Sequence, residues 1–419
     1  MSFKEWKDVV LGDIANYAKD KVSLDEITIY NYISTENMLP NKGGVSESSG
    51  LPNSKTVSKY ECGDILISNI RPYFKKIWHA DKMGGASNDV LIFKVNNKIN
   101  NKYLFYCLNQ DEFFDYMMQT AKGTKMPRGD KSAILNFEIK LPPIEEQKAI
   151  AKILSDLDNK IEVNNKINQR LEEMAQSIFK HWFVDFKFPN EEGKPYKSSG
   201  GEMFESELGM IPKGWEVKGL NSVAEFQNGY AFYKEGYSDK GIKVIDLANV
   251  NSLGNFVETD RDKYISYELY NKEKLIKYRL NKDDLIIIMT DRTQDMNILG
   301  KTAKIPYSNK FILNQRVGRL RAVNGINVNF LLSYMNSPVI LEELKSISLG
   351  SVQKYFNTTH IKDLKFIIPN EKVMDLYSKY IDCIYNQMFV LNEEIIRLGN
   401  LRDTLLPKLM SGEIRVPVK

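Results

Sequence analysis

Apolar residues fall into helical register most strongly in two places. After Pro142–Pro143, the run Ile144–Glu145–Glu146–Gln147 opens a stretch that reaches Trp182 without glycine or proline. Proline at a helix start fills a position whose N–H has no partner, and acids in the first turn face the positive end of the helix. Apolar positions then recur at alternating steps of four and three: Ile150, Leu154, Leu157, Ile161, Leu171, Ala175, Ile178 and Trp182, with Asn164 and Asn168 at two points of the same stripe. The spacing returns later as Tyr377, Ile381, Ile384, Met388, Leu391, Ile395, Leu398, Arg402, Leu405 and Leu409. Both read as heptad seams. They predict long helices over 143–186 and 370–412, each roughly 40 residues or about 60 Å. Two readings of Asn164 and Asn168 stand: they fix register within the seam, or they mark a wet helix end.

The segments before these helices, 1–142 and 205–369, carry a different pattern. Asp64–Ile67 and Val90–Phe93 are short branched and aromatic runs bounded by glycines, with Gly84–Gly85 read as a turn. Tyr103–Phe114 reads as one short helix, and Leu285–Met289 as a buried strand too short to cross a membrane. Residues 187–204, with Pro189, Gly193, Pro195 and Ser198–Ser199–Gly200–Gly201, read as a flexible linker.

The segments are also a repeat. Trp6–Lys7–Asp8–Val9 returns as Trp215–Glu216–Val217–Lys218, and Asp64 as Asp284. From Ser87–Asn88–Asp89–Val90, which matches Asn314–Gln315–Arg316–Val317, one constant step links Gly123 to Gly350, Pro142 to Pro369 and Arg170 to Arg397. The step is shorter earlier, so the second copy carries longer loops in its front half. The period far exceeds that of solenoid repeats. The expected fold is mixed α/β (α+β): two similar globular domains separated by two long antiparallel coiled-coil helices, an internal pseudo-twofold repeat. A linker of about 15 residues spans at most about 50 Å, which favours antiparallel over parallel pairing.

Composition fits a cytoplasmic, globular, multidomain protein: 419 residues, 42% hydrophobic and 27% charged. The start MSFKEWKDVV has no apolar core of signal-peptide length, and Cys62, Cys107 and Cys383 form no CxxC. The net charge of +4 leaves nucleic-acid binding undecided. Local clusters say more: Arg71, Lys75, Lys76 and Lys82; Lys122, Lys125, Arg128 and Lys131; and Lys301, Lys304, Lys310, Arg316, Arg319 and Arg321 in a stretch without acid. Such clusters either neutralise phosphates or form a solvated face.

No catalytic pattern accompanies them. His79, His181 and His360 lack metal-ligand spacing, and no phosphate loop, dinucleotide fingerprint or nucleophile elbow occurs. The lone Pro-Pro, Pro142–Pro143, lacks the flanks of an amino-methyltransferase loop. What remain are loops at corresponding places. Thr124, Lys125, Arg128 and Lys131 follow Gly123; Ser351, Gln353, Lys354 and Tyr355 follow Gly350. Arg71, Lys75 and Lys76 follow one expected strand and Arg292 follows another, while Tyr230 sits in the turn Gln227–Phe232. A shared frame with changed polar side chains suits two readers of different base sequences, since Arg and Lys fit guanine edges and Gln fits adenine. It also fits polar loops that drifted after duplication.

The sequence resembles the specificity subunit of type I restriction–modification systems over essentially its whole length. Leu141–Ala151 looks like that family's helix start, Ser177–Phe186 like its first helix end, Glu205–Trp215 like the opening of its second domain and Leu405–Ile414 like its C-terminal helix ending. The second helix departs, with Pro369–Asn370–Glu371–Lys372 in place of the Pro-Pro-Ile-Glu-Glu-Gln form. The resemblance implies two target-recognition domains, each reading one half of a split, asymmetric sequence in double-stranded DNA. The paired helices would set the unread gap and dock two methyltransferase (modification) subunits, joined by restriction (translocase/nuclease) subunits. The chain itself would be non-catalytic and bind no cofactor or metal; S-adenosylmethionine, ATP and magnesium would belong to the partners. The rivals are a DNA methyltransferase acting alone and a coiled-coil scaffold without DNA.

Overall fold

The computed structural model describes residues 5–259, 262–291, 295–350 and 353–417. They divide into two compact units. Unit 1 joins the residues up to Asn164 with those from Glu393 onward, and unit 2 is Asn165–Asn392. Each unit therefore holds one globular domain and half of each long helix.

The two domains share one plan. A short antiparallel ribbon closes each: Lys7–Val10 with Glu138–Leu141 in unit 1, Glu216–Gly219 with Lys365–Ile368 in unit 2. A four-stranded antiparallel sheet follows, in the order Ala15–Tyr17, Val90–Val95, Ile65–Ser68, Ile77–His79 in unit 1. In unit 2 the order is Ala224–Asn228, Val317–Ala322, Leu285–Ile288, Thr302–Lys304. The central strand of each has apolar side chains on both faces. Ile65 and Ile67 enter one core and Leu66 another; Leu285 and Ile287 enter one and Ile286 and Ile288 another. Two-sided burial is why these strands read as unbroken apolar runs rather than as alternation.

A second sheet differs at its edge. Thr56–Tyr60, Gly84–Ala86 and Tyr32–Ile33 correspond to Arg279–Leu280, Phe311–Leu313 and Ile242–Ile245. The fourth strand is Lys21–Ser23 beside Thr56–Tyr60 in unit 1, but Lys263–Ile265 beside Ile242–Ile245, on the opposite edge, in unit 2. The longer front half of the second copy supplies that strand. Gly84–Gly85 is strand rather than turn, paired with Lys59–Tyr60 and Tyr32, and it is glycine because a side chain on Gly84 would meet the Asn31 carbonyl oxygen at 2.1 Å. The single helix expected over Tyr103–Phe114 is two, Asn101–Leu108 and Asp111–Gln119, mirrored by Val328–Met335 and Pro338–Ser346.

The long helices run over Ile144–Phe179, continued by a π-turn at Lys180–Val184, and over Glu371–Ser411. In unit 1, Ile150, Ala151 and Leu154 share a core with Leu406, Leu409 and Met410, and Leu405 packs on its edge. In unit 2, Ala175 and Trp182, with Leu171 and Ile178 at the margin, share one with Tyr377, Ile381, Ile384 and Met388. Residue numbers rise along one helix as they fall along its partner, so the pairing is antiparallel within each unit. Leu157, Ile161, Ile395 and Leu398 are half-buried and Leu391 is buried. Polar bonds hold this thinner part of the seam. The fully buried Asn164 donates to Glu394 Oε2 at 2.9 Å in unit 1, and Asn168 donates to Asn392 Oδ1 at 2.8 Å in unit 2. Both asparagines face a partner strand of the seam mid-helix, as register-fixing groups do. Arg402, at an otherwise apolar seam position, pairs with Asp158 at 2.8 Å, and Tyr106 donates to the same carboxylate at 2.6 Å.

Each unit is closed where a helix start, the far end of the other helix and a tryptophan meet. In unit 1 the buried Glu146 accepts two bonds from Arg415 (2.7 and 2.9 Å) and one from Trp6 Nε1 (3.1 Å), while Arg415 lies over the Trp6 ring. Next to it, Gln147 accepts from the Asn100 N–H at 2.8 Å and donates to the Pro142 carbonyl at 2.8 Å. In unit 2 the repeat places Val373 for Glu146, Phe188 for Arg415 and Trp215 for Trp6. Phe188 stacks on Trp215 at 4.9 Å and on Tyr196 at 4.7 Å. The segment expected to be a flexible linker is thus anchored at Phe188 and Tyr196, while residues 191–195 and 197–200 stay exposed.

Two buried acids give opposite pH responses. Burial pushes the Glu146 carboxyl up, but its bonds from Arg415 and Trp6 outweigh that and hold it below the usual range. Its folded pKa lies under its unfolded one, so it stabilises unit 1 above the ordinary glutamate pKa, and the contribution is lost as pH falls through the depressed value. Replacing Glu146 by Gln removes the buried carboxylate charge that accepts two bonds from Arg415, with an expected loss of about 2 kcal/mol at pH 7. Burial raises the Glu172 carboxyl, against the hydrogen bond from Gln176 and the charge of Lys301. That group destabilises unit 2 at neutral pH, and the penalty is relieved as pH falls through the raised value toward the ordinary one. Glu172→Gln is expected to stabilise at pH 7 by on the order of 1 kcal/mol. Denaturant unfolding of both variants across pH 4–8 (about neutral downward) checks both signs; a destabilised Glu172→Gln at neutral pH overturns the second.

Candidate nucleic-acid interface

The loops picked out by the repeat come together in both units, on one backbone frame. In unit 1, residues 121–131 form a small hairpin in which Lys122 and Arg128 exchange N–H···O bonds of 2.9 and 3.0 Å. The turn after Ile65–Ser68 docks on it: Ile70 bridges Arg128, the Arg71 N–H donates to the Pro127 carbonyl at 2.8 Å, and the Gly129 N–H donates to the Asn69 carbonyl at 3.2 Å. The Asn69 N–H in turn donates to the Asp89 carbonyl at 2.8 Å. Unit 2 repeats four of these bonds. Leu349 and Tyr355 exchange bonds of 2.8 and 3.0 Å, Thr290 pairs with Tyr355, the Phe356 N–H donates to Met289 at 3.2 Å and the Met289 N–H donates to Arg316 at 3.2 Å. Gly123 and Gly350 sit at φ of +90° and +93°, a region that favours glycine, which is why this residue stays while its neighbours change.

The side chains on the frame differ. In unit 1, Arg128 is exposed and its Nη2 lies 3.3 Å from Asp89 Oδ1. Lys122 pairs with Asp130 at 2.5 Å, and this bond, together with two backbone N–H groups, holds the Asp130 carboxyl below its usual range. Thr124, Lys125, Lys131 and Arg71 are exposed, and among the described residues none of these three cations enters an ion pair. Arg71 and Lys75 both adopt left-handed backbone, which throws the turn Pro72–Phe74 outward with Tyr73 and Phe74 exposed. In unit 2, Tyr355 is 41% exposed at the place of Arg128, Gln353 and Lys354 are half-buried, and Arg316 occupies the place of Asp89. Arg292 and Ser351 lie outside the described residues.

The turn Gln227–Phe232 joins the unit 2 cluster. Asn228 donates to Thr358 Oγ1 at 2.5 Å and Tyr230 bridges Asn314. Gly229 lies so close that a side chain would meet the Asn314 carbonyl oxygen at 1.8 Å. Tyr230 is half-buried, packed edge-on against Phe232 and Tyr278 with Lys274 over its ring. It supports the cluster more than it projects from it.

Several expected phosphate contacts have other work. Lys75 pairs with Asp111 at 2.9 Å, and Lys76 donates to the Thr35 carbonyl at 2.6 Å, its pKa lowered by burial. Lys304 donates to Asn329 at 2.8 Å and lies over the Tyr385 ring, inside unit 2; burial lowers it and Lys301 alike. Arg319 bonds Glu225 and the Lys277 carbonyl, Arg321 grips Asp284 through two bonds, and Lys310 covers Tyr307. The basic stretch 301–321 is therefore mostly internal wiring. Its acids lie elsewhere in the sequence, so the run read as unbalanced. Arg316 is the member that stands in the loop cluster. Asp89, absent from the sequence-derived candidates, and Arg316, present there only as one member of a basic run, carry one signal in the sequence, the charge reversal at aligned positions of the repeat.

Two domains carry equivalent loop frames with different occupants. The model of the type I restriction modification DNA specificity domain matches residues 3–173 and again 212–396, and the chain belongs to this family. It is similar to the type I restriction enzyme MjaVIII specificity subunit of Methanocaldococcus jannaschii, 29% identical over 99% of this chain and 94% of that one. It is likewise similar to the HindI specificity subunit of Haemophilus influenzae, 23% identical over 98% of this chain and 100% of that one. The crystal structure of a type I restriction–modification S subunit from M. genitalium shares the fold, with a TM-score of 0.58 at 16% identity over 97% of this chain and 96% of that one. The protein is thus a sequence-recognition subunit, non-catalytic, and one component of a multisubunit restriction–modification enzyme. Among the described residues no helix is long and apolar enough to cross a membrane.

The two retained glycines are not equally tolerant. A side chain at Gly123 has the Met126 carbonyl oxygen as its nearest neighbour at 3.5 Å, whereas one at Gly350 would meet the Gln353 carbonyl oxygen at 2.1 Å. Gly123→Ala is expected to cost about 1 kcal/mol for the left-handed backbone alone. Gly350→Ala is expected to cost more and to open its hairpin. Hydrogen exchange at the Leu349 and Tyr355 amides, against Lys122 and Arg128, reads the difference; equal protection loss in both hairpins contradicts it.

Proposed function

We propose that the chain reads a bipartite, asymmetric target in double-stranded DNA, one half-site per domain. The observation that carries this reading is the pair of equivalent loop frames with unlike side chains at matching places: Arg128 and Asp89 in one, Tyr355 and Arg316 in the other. Equivalent frames suit the same kind of approach to a duplex, and unlike side chains suit different base edges. The exposed cations Arg71, Lys125 and Lys131 are assigned to phosphates in unit 1, in place of Lys75 and Lys76. Two methyltransferase subunits dock on the paired helices, whose outward faces carry exposed apolar residues such as Ile153, Val163, Val390 and Ile396. Restriction subunits join that assembly. S-adenosylmethionine, ATP and magnesium act on those partners, as the resemblance to the family implies, and the unread gap is attributed to the helices.

Genome-wide mapping of methylated bases in cells carrying the system should return a two-part motif whose halves differ; a short continuous palindrome refutes the reading. Binding should weaken steeply with salt. Lys125→Ala and Lys131→Ala should each lower affinity for all sequences alike and reduce the slope of log K against log salt by about 1. A sequence-selective loss in either variant would reassign that lysine from phosphate to base.

A further inference from the structure

We infer that one residue pair in each unit, Asp89 with Arg128 in unit 1 and Arg316 with Tyr355 at the matching places in unit 2, sets a base preference of that domain. Asp89 is the positioning residue for the Arg128 guanidinium. The inference rests on the DNA-reading role proposed above and names the residues that discriminate.

The backbone that carries the pair is bonded in the same way in both units. The strand end carrying residue 89 or 316 is tied through its carbonyl to the turn before it, and that turn is tied to the hairpin carrying residue 128 or 355. Four backbone hydrogen bonds recur with the same donors and acceptors, so the two side chains leave equivalent points of equivalent scaffolds. A reading group needs this rigidity, because base discrimination depends on placing a donor fork within a fraction of an ångström. Arg128 is exposed, yet its backbone is bonded on both sides of the hairpin, and its side chain lies within 3.3 Å of the Asp89 carboxylate. A carboxylate beside a guanidinium limits its rotamers and leaves its remaining N–H donors free to meet two acceptors in one plane, as on the major-groove edge of guanine.

Unit 2 reverses the charge. Where Asp89 stands in unit 1 there is Arg316, the one cation of its basic run placed in the loop cluster, and among the described residues it enters no ion pair. Where Arg128 stands there is Tyr355, with a flat ring and a single hydroxyl. The donor fork has moved from the hairpin to the strand end. A guanine contact read by unit 2 would therefore fall at a different step of its half-site, and the two halves differ for a stated geometric reason.

The test uses the full chain assembled with its methyltransferase partners and a library of duplexes with randomised sequence. The wild-type complex must first select a two-part target; if it selects none, the DNA-reading role fails and the pair is moot along with it. Given such a target, Arg128→Lys, which keeps the charge and loses the fork, should lose discrimination at one base pair of one half-site by roughly tenfold or more, leaving the other half-site unchanged. Asp89→Asn should lose discrimination at the same base pair while affinity for random-sequence DNA holds or rises, since an acid has been removed. A merely structural role for Asp89 would lower both. Asp89→Glu should restore part of the preference. The double variant Asp89→Arg, Arg128→Tyr should move the preference of the unit 1 half-site toward that of unit 2. Unchanged base preference in Arg128→Lys and Asp89→Asn overturns the inference, as does a loss spread evenly over both half-sites.

Discussion

Each unit depends on one contact made by residues from opposite ends of its sequence. A tryptophan at the start of the domain, the first turn of the helix that leaves it and the residues just beyond the end of the other helix come together there. In unit 1 the contact is ionic and buried: Glu146 held by Arg415 and Trp6. In unit 2 it is aromatic: Phe188 on Trp215 beside Val373. The geometry survives the exchange of chemistry because both versions satisfy one requirement. A helix start with unpaired N–H groups and a helix end with unpaired carbonyls must be buried beside a domain edge, and something must cover the polar ends or fill the gap. The two sequence signatures that mark the family, around Pro142–Gln147 and Leu405–Ile414, face each other there, and their residues are explained by that meeting.

The seam follows the same logic on a longer scale. Apolar contacts join the helices near each domain, where the domains' own cores extend into the pair. Toward the middle the stripe is thin, and Asn164 and Asn168 with their partners replace packing by directed bonds. Hydrogen bonds of this kind add little net stability but penalise every other register, because a shifted pairing would bury the same groups without partners. Division of labour is visible in the domains as well. Backbone ladders and glycines fix where the loops go, while the side chains they carry are free to differ.

Much of this was legible in the sequence. The helices and the repeat followed from a heptad stripe and a constant alignment step, both long-range regularities that chance rarely sustains, and the antiparallel pairing from the short reach of the segment that joins the two halves. The strand Leu285–Ile288 was legible from length and branching alone. Failures were local and had physical causes. The anchoring of the linker at its aromatics was missed because its glycines and prolines were counted and Phe188 and Tyr196 were not. A helix over Tyr103–Phe114 became two because Asn109–Gln110 ends the first and begins the second, with no proline or glycine to announce the break. The basic stretch from Lys301 was misjudged for a deeper reason: a one-dimensional charge count cannot see Glu225 or Asp284 across the sheet, and these acids neutralise the arginines of the strand Val317–Ala322. The repeat singled out loops that the structure brings together, while the tie of Asp89 and Arg316 to them is visible only in the backbone bonds that link their strand ends to the hairpins.

Unit 2 is one continuous stretch of chain, whereas unit 1 is assembled from two stretches with more than half the protein between them. On the ribosome this imposes an order. The second domain and its helix halves can close as soon as Asn392 has emerged, but the first domain must wait, with Ile150, Ala151 and Leu154 uncovered, until Leu406, Leu409 and Arg415 have been synthesised. Contacts at such separation form slowly. The nascent chain therefore exposes a sticky helical stripe for most of its synthesis, the interval in which chaperones or early-arriving partner subunits have something to hold.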